Sequence, residues 1–330
     1  MTSPSQETHI FVGHDLIRQA EARVRPFIRE TGVERAPLLE SGDGAVWLKL
    51  ESQQVTGSFK VRGALNALMT LSEESHYSIE RVVTASAGNH GLGVAFASQI
   101  TGFPATIFVP ESVDPARKRA LEQFPIEVKV VRGGYDDAER AALEASRAET
   151  TRFVSSYNDP LVIAGQGTVA CELARQVSDA EAVIVGVGGG GLLAGVGAYA
   201  RAVNPDIEII GVSPARSAAM CDILSGRPIP SCGHEGTLSD STAGGIQDQS
   251  ITIGLCRALI NSWVLLTEEE IRAAMQYLFY EHRLVCEGAG ALAVGAYMKE
   301  RERLKDKNCV LVVCGSNISP EKFLSVIKRS

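Results

Sequence analysis

The sequence predicts an α/β protein built on parallel sheets flanked by helices. From about residue 82 onward, short β-branched runs alternate with amphipathic or Ala-rich segments, the pattern of strands joined by crossover helices. These runs are apolar without the alternation of a half-exposed strand, so we expect both faces of their sheets to be buried. The predicted strands span 82–86, 105–110, 127–131, 182–187, 207–212 and 309–313.

Two of the intervening helices have clearly marked beginnings. Asp159 followed by Pro160 supplies an N-cap and a proline at the first helical position. Thr267 and Glu270 have the spacing of a capping box ahead of another amphipathic run. We therefore predict helices that begin directly after Asp159 and Thr267.

The regular alternation of elements is interrupted at a few polar stretches. The stretch 70–78 and the turn 157–160 bracket a segment that we interpret as an inserted unit. The stretch 226–250 is rich in Gly, Pro and Ser, and we predict an irregular, exposed loop there. Long loops of this kind often carry binding residues.

Composition and charge indicate a soluble protein that acts on small molecules. Apolar residues make up 45% and charged residues 22% of the 330, as in ordinary globular proteins. The net charge of -7, without any basic block, argues against nucleic acid or an anionic membrane as a partner. No apolar run reaches the length of a membrane span.

The cysteines are scattered without a C-x-x-C pair, and several stand inside apolar runs, as small core residues do. This pattern predicts free thiols in the reduced cytoplasm. The seven are Cys171, Cys221, Cys232, Cys256, Cys286, Cys309 and Cys314.

Four consecutive glycines, Gly188 to Gly191, stand between a predicted buried strand and a helix. Such a turn exposes backbone N–H groups at a helix N-terminus, where the helix dipole favours a phosphate. Gly186, Gly188 and Gly191 also satisfy G-x-G-x-x-G, but the next strand leads to Ser213 and Arg216 instead of an acidic residue. An ordinary NAD site is excluded on that ground, and an NADP-type site stays open.

A second strand-to-helix turn, "SAGNHG", carries Ser86, Asn89 and His90 at a predicted helix N-terminus. The position suits an anion such as a carboxylate. Asn89 or His90 simply capping the helix is the alternative. At the end of the last strand stands Cys314, which taken singly is more typical of a buried core thiol than of a functional one.

Lys60 follows Gly57, Ser58 and Phe59 and precedes the apolar face of a predicted helix. A lone lysine is usually a solvated charge. An amine that forms a Schiff base with a phosphate-bearing aldehyde cofactor would, however, account for both Lys60 and the glycine loop.

Together these motifs resemble, over essentially the whole chain, the fold-type II pyridoxal-phosphate enzymes, specifically the serine/threonine dehydratase and serine racemase family. The resemblance implies the tryptophan synthase β-like fold, with a large cofactor-binding domain over 1–75 and 159–330 and a small inserted α/β domain over 76–158. It also implies a homodimer, pyridoxal 5'-phosphate as cofactor and an amino acid as substrate.

The resemblance assigns roles to particular residues. "SFKVRGA" is similar to the motif whose lysine, here Lys60, carries the cofactor as a Schiff base, with Phe59 beside the ring. "CGSNIS" resembles the motif whose first residue, here Cys314, faces the pyridine nitrogen. The implied cofactor-binding residues are Phe59, Lys60, Asn89, Gly188, Gly189, Gly190, Gly191, Leu192, Ser241, Glu287 and Cys314, and the implied substrate-binding residues are Ser86, Gly88, Asn89 and His90.

The activity implied is that of an ammonia-lyase acting on L-threonine, L-serine or a related hydroxy amino acid. The freed Lys60 would take the Cα proton, and the β-hydroxyl would leave with the cofactor phosphate as proton donor. A thiol at Cys314, unlike an aspartate, cannot keep the pyridine nitrogen protonated, so elimination suits this ring better than transamination. The products would be a 2-oxo acid and ammonia.

Departures from the family pattern refine this expectation. Serine racemases place an acid/base serine where this chain has Ala87, so we expect little racemase activity. Racemase-like members have an acidic metal ligand where this chain has Ser213, so we expect no metal, with a site displaced towards Asp222 as the alternative. The "DSxxGG" form around Ser241 looks more like the branch containing the hydroxyectoine-utilisation dehydratases.

Two competing functions stay open at this point. A racemase or β-replacement enzyme would keep the fold and the cofactor and change the chemistry. An NADP-binding protein would use the glycines of 186–191 and would leave Lys60 and the "SAGNHG" loop unexplained.

Overall fold

The computed structural model describes residues 12–73, 78–227 and 236–328, which form two sheets and the helices that cover them. The strands are β1 (Val33–Arg35), β2 (Val46–Lys49), β3 (Arg81–Ala85), β4 (Ala105–Pro110), β5 (Glu127–Val131), β6 (Thr151–Phe153), β7 (Ala182–Gly186), β8 (Glu208–Pro214), β9 (Ser262–Leu266) and β10 (Cys309–Val312). The helices are α1 (His14–Val24), α2 (Lys60–Glu73), α3 (Asn89–Thr101), α4 (Pro115–Leu121), α5 (Tyr135–Ala145), α6 (Pro160–Gln176), α7 (Gly191–Val203), α8 (Ala219–Leu224), α9 (Ile251–Leu259), α10 (Glu268–His282), α11 (Gly288–Lys299), α12 (Arg301–Leu304) and α13 (Pro320–Ile327).

Both sheets are dominated by parallel pairing. The six-stranded sheet has the order β1-β2-β10-β7-β8-β9, in which only β1 runs antiparallel to its neighbour. The four-stranded sheet has the order β5-β4-β3-β6 and is parallel throughout. The predicted α/β class with parallel sheets is confirmed. The domain limits at 75/76 and 158/159 stay a prediction.

Strand β7 shows why the large sheet needs apolar residues at successive positions. Ala182 and Ile184 lie in the core on one face of the sheet, whereas Val183 and Val185 lie in the core on the other. All four side chains are buried, because helices cover both faces of a parallel sheet. The apolar run that predicted this strand follows directly from that burial.

The prediction that strand β5 is buried is wrong. Glu127, Lys129 and Val130 are exposed, because β5 is an edge strand that pairs only with β4. The sequence "EVKVV" itself contains two charged residues, which blunt an exposed edge against pairing with other chains.

The predicted helix beginnings are confirmed. The Asp159 carboxylate accepts hydrogen bonds from the backbone N–H groups of Leu161 and Val162 at the start of α6. Thr267 and Glu270 form the expected reciprocal capping box at the start of α10.

The irregular loop predicted for 226–250 is described only in part, since 228–235, which include Cys232, lie outside the described residues. Its described portion contains one 3-10 turn, Asp240–Thr242. The other six cysteines are buried free thiols. Among the helices described here, none is both long and apolar enough to cross a bilayer.

Four buried charged side chains connect the start of α2 with β2, the residues that follow it, and α6. Arg62 donates two hydrogen bonds to Glu51, at 2.7 and 2.8 Å, and also contacts Glu172 of α6 at 2.7 Å. Lys49 of β2 forms an ion pair with the same Glu172. We call Lys49, Glu51, Arg62 and Glu172 the buried charge cluster; its two positive and two negative groups balance.

Candidate active site

The predicted functional loops begin where strands end. Ser86 directly follows β3, and a single residue separates both the four glycines from β7 and Cys314 from β10. Ligands of open α/β sheets bind at the carboxyl ends of the parallel strands. The segment before Lys60 joins the same region, because the backbone N–H of Phe59 donates to the carbonyl oxygen of Cys314 at 3.2 Å.

Lys60 is the first residue of α2, and its side chain is partly buried. Its Nζ donates a hydrogen bond to the carbonyl oxygen of Ser156 at 2.8 Å and lies 5.2 Å from the centre of the Phe59 ring. Loss of solvation lowers the pKa of Lys60 to about 8, although the nearby Cys314 and Glu287 act in the opposite direction. A neutral, nucleophilic amine is therefore accessible near neutral pH.

This pKa gives the amine a distinctive pH dependence. We expect Lys60 of the cofactor-free protein to react with acetic anhydride along a curve that rises with pH through about 8. At pH 7 about one amine in ten is already neutral at such a pKa, against about one in several thousand for an ordinary lysine. Pulse labelling followed by peptide mass spectrometry measures the curve, with a small primary amine in the same tube as reference. A Lys60 midpoint equal to that of a solvated lysine side chain would contradict the expectation.

The glycine loop lies tightly against two other segments. A Cβ added at Gly189 would overlap the Tyr157 ring, and one added at Gly188 would come within 2.9 Å of the Thr242 Cα. Gly190 has φ +86°, a conformation that favours glycine. Because α7 begins at Gly191, its first backbone N–H groups have no partner within the helix and can bind an anion.

This close packing predicts a strong effect of a single methyl group. We expect Gly189→Ala to weaken pyridoxal phosphate binding about 10- to 100-fold, because the overlap with Tyr157 displaces the loop at a cost of about 1–3 kcal/mol. Titration of the cofactor-free protein, followed by absorbance, gives the dissociation constant. Gly254→Ala is the matched control, since a Cβ at Gly254 of α9 meets no atom within 4 Å. Equal affinities for the two variants would show that the loop has room to spare.

The "SAGNHG" turn holds its polar side chains away from the helix end. Gly88 is the N-cap residue of α3, and no side chain caps this helix. The Asn89 side chain donates to Glu287 at 2.6 Å, and a ring nitrogen of His90 contacts the carbonyl oxygen of Val154 at 2.9 Å. The capping alternative is therefore wrong. The backbone N–H of Gly88 is bonded to the Ser86 hydroxyl at 3.2 Å.

His90 is buried and close enough to Lys60 for their charges to interact. Burial, helped by Lys60, lowers the pKa of His90 to about 3, so the ring is neutral at neutral pH. Its Nδ1 is buried without a hydrogen-bond partner in the described part of the chain. A buried polar atom of this kind is one that a bound ligand could satisfy with a hydrogen bond.

Glu287 links three of the predicted segments. It accepts hydrogen bonds from Asn89 and from the Ser241 hydroxyl, the latter at 3.0 Å. Burial raises the pKa of Glu287 to about 7, against the opposing effect of these two donors. A Cβ added at Gly315 would meet a Glu287 carboxylate oxygen at 2.5 Å, so the loop after β10 presses on the same group.

Cys314 and Leu192 are both buried at the same end of the large sheet. Burial, aided by the charge of Glu287, raises the pKa of the Cys314 thiol above its usual range, so the group is a neutral thiol at all physiological pH values. The side chains that an NADP site or a displaced metal site would use form contacts with other protein groups. The Ser213 hydroxyl donates to the carbonyl oxygen of Val187, Arg216 donates to that of Gly236, and Asp222 pairs with Arg227.

Sequence reasoning missed several residues at this site. Ser156 was not singled out and Tyr157 was seen only as part of the turn 157–160, yet they touch Lys60 and the glycine loop respectively. Asn317, whose side chain donates to Asn89, lies two residues beyond Gly315. The signal for Asn317 was available, because "CGSNIS" continues through it.

Comparison with known proteins identifies the family of this chain. A family model described as pyridoxal-phosphate dependent enzyme matches residues 24–315. The chain belongs to that family. This pyridoxal-phosphate-dependent enzyme is 34% identical to an L-threonine ammonia-lyase of Geobacter sulfurreducens, over 96% of this chain and 78% of that protein.

Two solved structures share the fold over nearly their whole length. The processed form of threonine deaminase isoform 2 from Solanum lycopersicum matches with a TM-score of 0.85 and 31% identity, covering 98% of this chain and 89% of that one. Maize serine racemase matches with a TM-score of 0.85 and 26% identity, covering 95% and 96%. The predictions of the fold-type II family, of pyridoxal phosphate and of an ammonia-lyase-type enzyme are confirmed.

The residues present fit the cofactor. The Lys60 amine has a lowered pKa, the glycine loop before α7 presents helix N–H groups, and Ser156 and Tyr157 join the two as consecutive residues. The unpaired Nδ1 of His90 lies in the same region. The aldehyde of pyridoxal phosphate matches the Lys60 amine, and its phosphate matches the anion site of the glycine loop. Its ring, which lies between them, matches the Phe59 side chain.

Proposed function

We propose that this enzyme catalyses α,β-elimination on a β-hydroxy L-amino acid, L-threonine, L-serine or a related compound, with release of a 2-oxo acid and ammonia. The observation that carries the proposal is the position of the Lys60 amine. The amine bonds the carbonyl oxygen of Ser156, whose neighbour Tyr157 packs against the glycine loop, and it is close enough to His90 of the "SAGNHG" turn for their charges to interact. An amine there can serve both as anchor and as base.

We propose that the glycine loop holds the cofactor phosphate through the N–H groups at the start of α7 and that Phe59 lies beside the ring. When bound, pyridoxal phosphate supplies an aldehyde that condenses with amines and a conjugated ring that accepts electrons from Cα. The residues assigned to it are Phe59, Lys60, Asn89, Gly188, Gly189, Gly190, Gly191, Leu192, Ser241, Glu287 and Cys314.

In this proposal the substrate carboxylate binds at the start of α3. Ser86, Gly88 and Asn89 stand where the helix dipole favours an anion. His90 is neutral and lies one residue deeper, so it supports the turn through Val154 without adding charge. The carboxylate anchor directs Cα towards Lys60, whose Nζ takes the Cα proton.

The neutral thiol of Cys314 determines how strongly the ring draws electrons. A group that stays protonated and uncharged cannot hold a positive charge on the pyridine nitrogen. A long-lived negative charge at Cα is therefore disfavoured, and it is removed when the β-hydroxyl departs soon after the Cα proton is taken. This favours elimination over transamination.

The racemase alternative is favoured by the likeness to maize serine racemase. Ala87 counts against it, because an alanine offers no proton on the face opposite Lys60. A cytoplasmic homodimer remains part of the proposal. The family resemblance supports the dimer, and the six buried free thiols among the described residues support a reducing compartment. Size-exclusion chromatography with light scattering tests the dimer.

The proposal is tested by 2-oxo acid release from purified, cofactor-loaded enzyme across L-threonine, L-serine, phenylserine and 3-hydroxyaspartate, with chiral analysis of the remaining amino acid. We expect oxo acid and ammonia in equal amounts from at least one substrate. Formation of D-serine from L-serine at a comparable rate would favour the racemase. If no substrate releases oxo acid while the cofactor is bound, elimination from these amino acids is refuted.

A further inference from the structure

A wall of polar and aromatic side chains connects the "SAGNHG" turn with the glycine loop. The Tyr135 hydroxyl, at the start of α5, donates to the carbonyl oxygen of Ala85 at 3.3 Å, and Ala85 directly precedes that turn. Tyr157 packs against the glycine loop, and its hydroxyl accepts a hydrogen bond from the backbone N–H of Gln247 at 2.9 Å. With Glu139 of α5, we call Tyr135, Tyr157 and Gln247 the cleft wall.

Glu139 brings the only carboxylate of this wall. It lies one helical turn after Tyr135, so the two side chains share a face of α5. Within the described ranges its carboxylate accepts a single long hydrogen bond, from the Gln247 side chain at 3.4 Å. The Asn158 side chain in turn donates to the Gln247 side-chain oxygen at 2.9 Å. The wall therefore spans from α5 to the loop around residue 247.

Glu139 differs from Asp137 and Glu144 of the same helix in having no cationic partner among the described residues. Asp137 pairs with Arg140, and Glu144 pairs with Arg147, at 3.0 and 2.8 Å. Glu139 is half-buried, and loss of solvation raises its pKa while Asp136 adds to the effect. A partly desolvated carboxylate without a cation is less stable than a paired one, and a cationic ligand would offset that cost.

We propose that Glu139 is a specificity-determining residue that binds an ammonium group on the side chain of the substrate. This rests on the proposed elimination at Lys60. The preferred substrate class would then be β-hydroxy amino acids that carry an amine on the γ-carbon or beyond.

The position of the wall supports this choice of ligand. A substrate held by its carboxylate at the "SAGNHG" turn, with Cα at Lys60, has its side chain between that turn and the glycine loop, where the wall lies. Tyr135 and Tyr157 flank Glu139 closely enough for its charge to affect the pKa of both phenols. Aromatic faces beside a carboxylate favour a cation and disfavour an anion.

The test compares three substrates that differ mainly in charge: 4-amino-L-threonine, L-threonine and 3-hydroxy-L-aspartate. We expect kcat/KM to fall in that order, with about a 10- to 100-fold gap between the first two, as for a hydrogen bond to a charged group. Glu139→Gln should remove most of that gap, chiefly by lowering kcat/KM for 4-amino-L-threonine. Glu144→Gln, on the outer part of the same helix, is the matched control and should leave the order intact.

A binding measurement separates this inference from the proposed function. L-2,4-diaminobutyrate and L-2-aminobutyrate lack the β-hydroxyl and differ by one amine, so calorimetry of the holoenzyme reports recognition without elimination. We expect tighter binding of the diamino compound, lost in Glu139→Gln. If all three hydroxy substrates stay unreactive but this preference holds, the proposed elimination fails and the assignment of Glu139 stands. If L-threonine is turned over and neither measurement depends on side-chain charge, the assignment is overturned and the elimination stands.

Discussion

Replacing Lys60 by alanine is expected to lower 2-oxo acid release by at least about 10⁴-fold, since one change removes both the covalent anchor and the base. The side chain begins α2 and lies against Ser156, with no other lysine amine in contact with that carbonyl oxygen in the described part of the chain. Borohydride treatment of the holoenzyme, followed by peptide mass spectrometry, should place the cofactor mass on Lys60 in the wild type and nowhere in the variant.

Two further variants separate chemistry from charge. Lys60→Arg keeps a cation at the site and cannot act as the nucleophile, so it should be as inactive as Lys60→Ala. Lys118→Ala, in the exposed pair with Glu122 on α4, should keep full activity. Activity recovered in Lys60→Arg would show that Lys60 acts through its charge, and trapped cofactor in Lys60→Ala would assign the anchor to another residue.

The sequence predicted three neighbouring strands of the large sheet, β10, β7 and β8, because their side chains are buried on both faces. At β7 and β10 every position must be apolar, so an unbroken apolar run identifies the strand and its end. The short strands β1, β2, β6 and β9 were not predicted, and β5 was wrongly predicted to be buried. The polarity of their side chains depends on where each strand lies in its sheet, and the periodicity of the sequence does not encode that position.

The residues of the candidate site likewise fall into those that the sequence predicted and those that it did not. Glycine runs and the lysine motif are local signals, because they reflect the backbone conformation of the residues beside them. Lys60 and Gly188 to Gly191 could therefore be predicted. Ser156 acts through its carbonyl oxygen, which any residue supplies, so no sequence signal marks it. Glu139 and Gln247 lie 108 positions apart, and only the fold brings them together.

The second large effect concerns stability. Arg62→Met is expected to lower the free energy of unfolding by about 3–5 kcal/mol, because it leaves Glu51 and Glu172 buried with only Lys49 as a counter-charge. That is a large share of the roughly 5–15 kcal/mol that holds a typical protein folded. Urea unfolding of the cofactor-free protein, read by fluorescence and circular dichroism, measures the change.

The same argument predicts which second change restores stability. Arg147→Met removes an exposed ion pair and should cost less than about 1 kcal/mol, so it controls for loss of an arginine. Replacing all four members of the buried charge cluster by apolar residues of similar volume should recover most of the loss, since no charge is then left unpaired. If the fourfold variant is no more stable than Arg62→Met, the loss lies in the packing of Arg62 against α6.

The fourfold variant also tests whether the buried charge cluster positions the catalytic amine. Arg62 stands two residues after Lys60, on a different face of α2. Recovery of stability without recovery of cofactor binding would show that the charges hold Lys60 in place as well as holding the fold together.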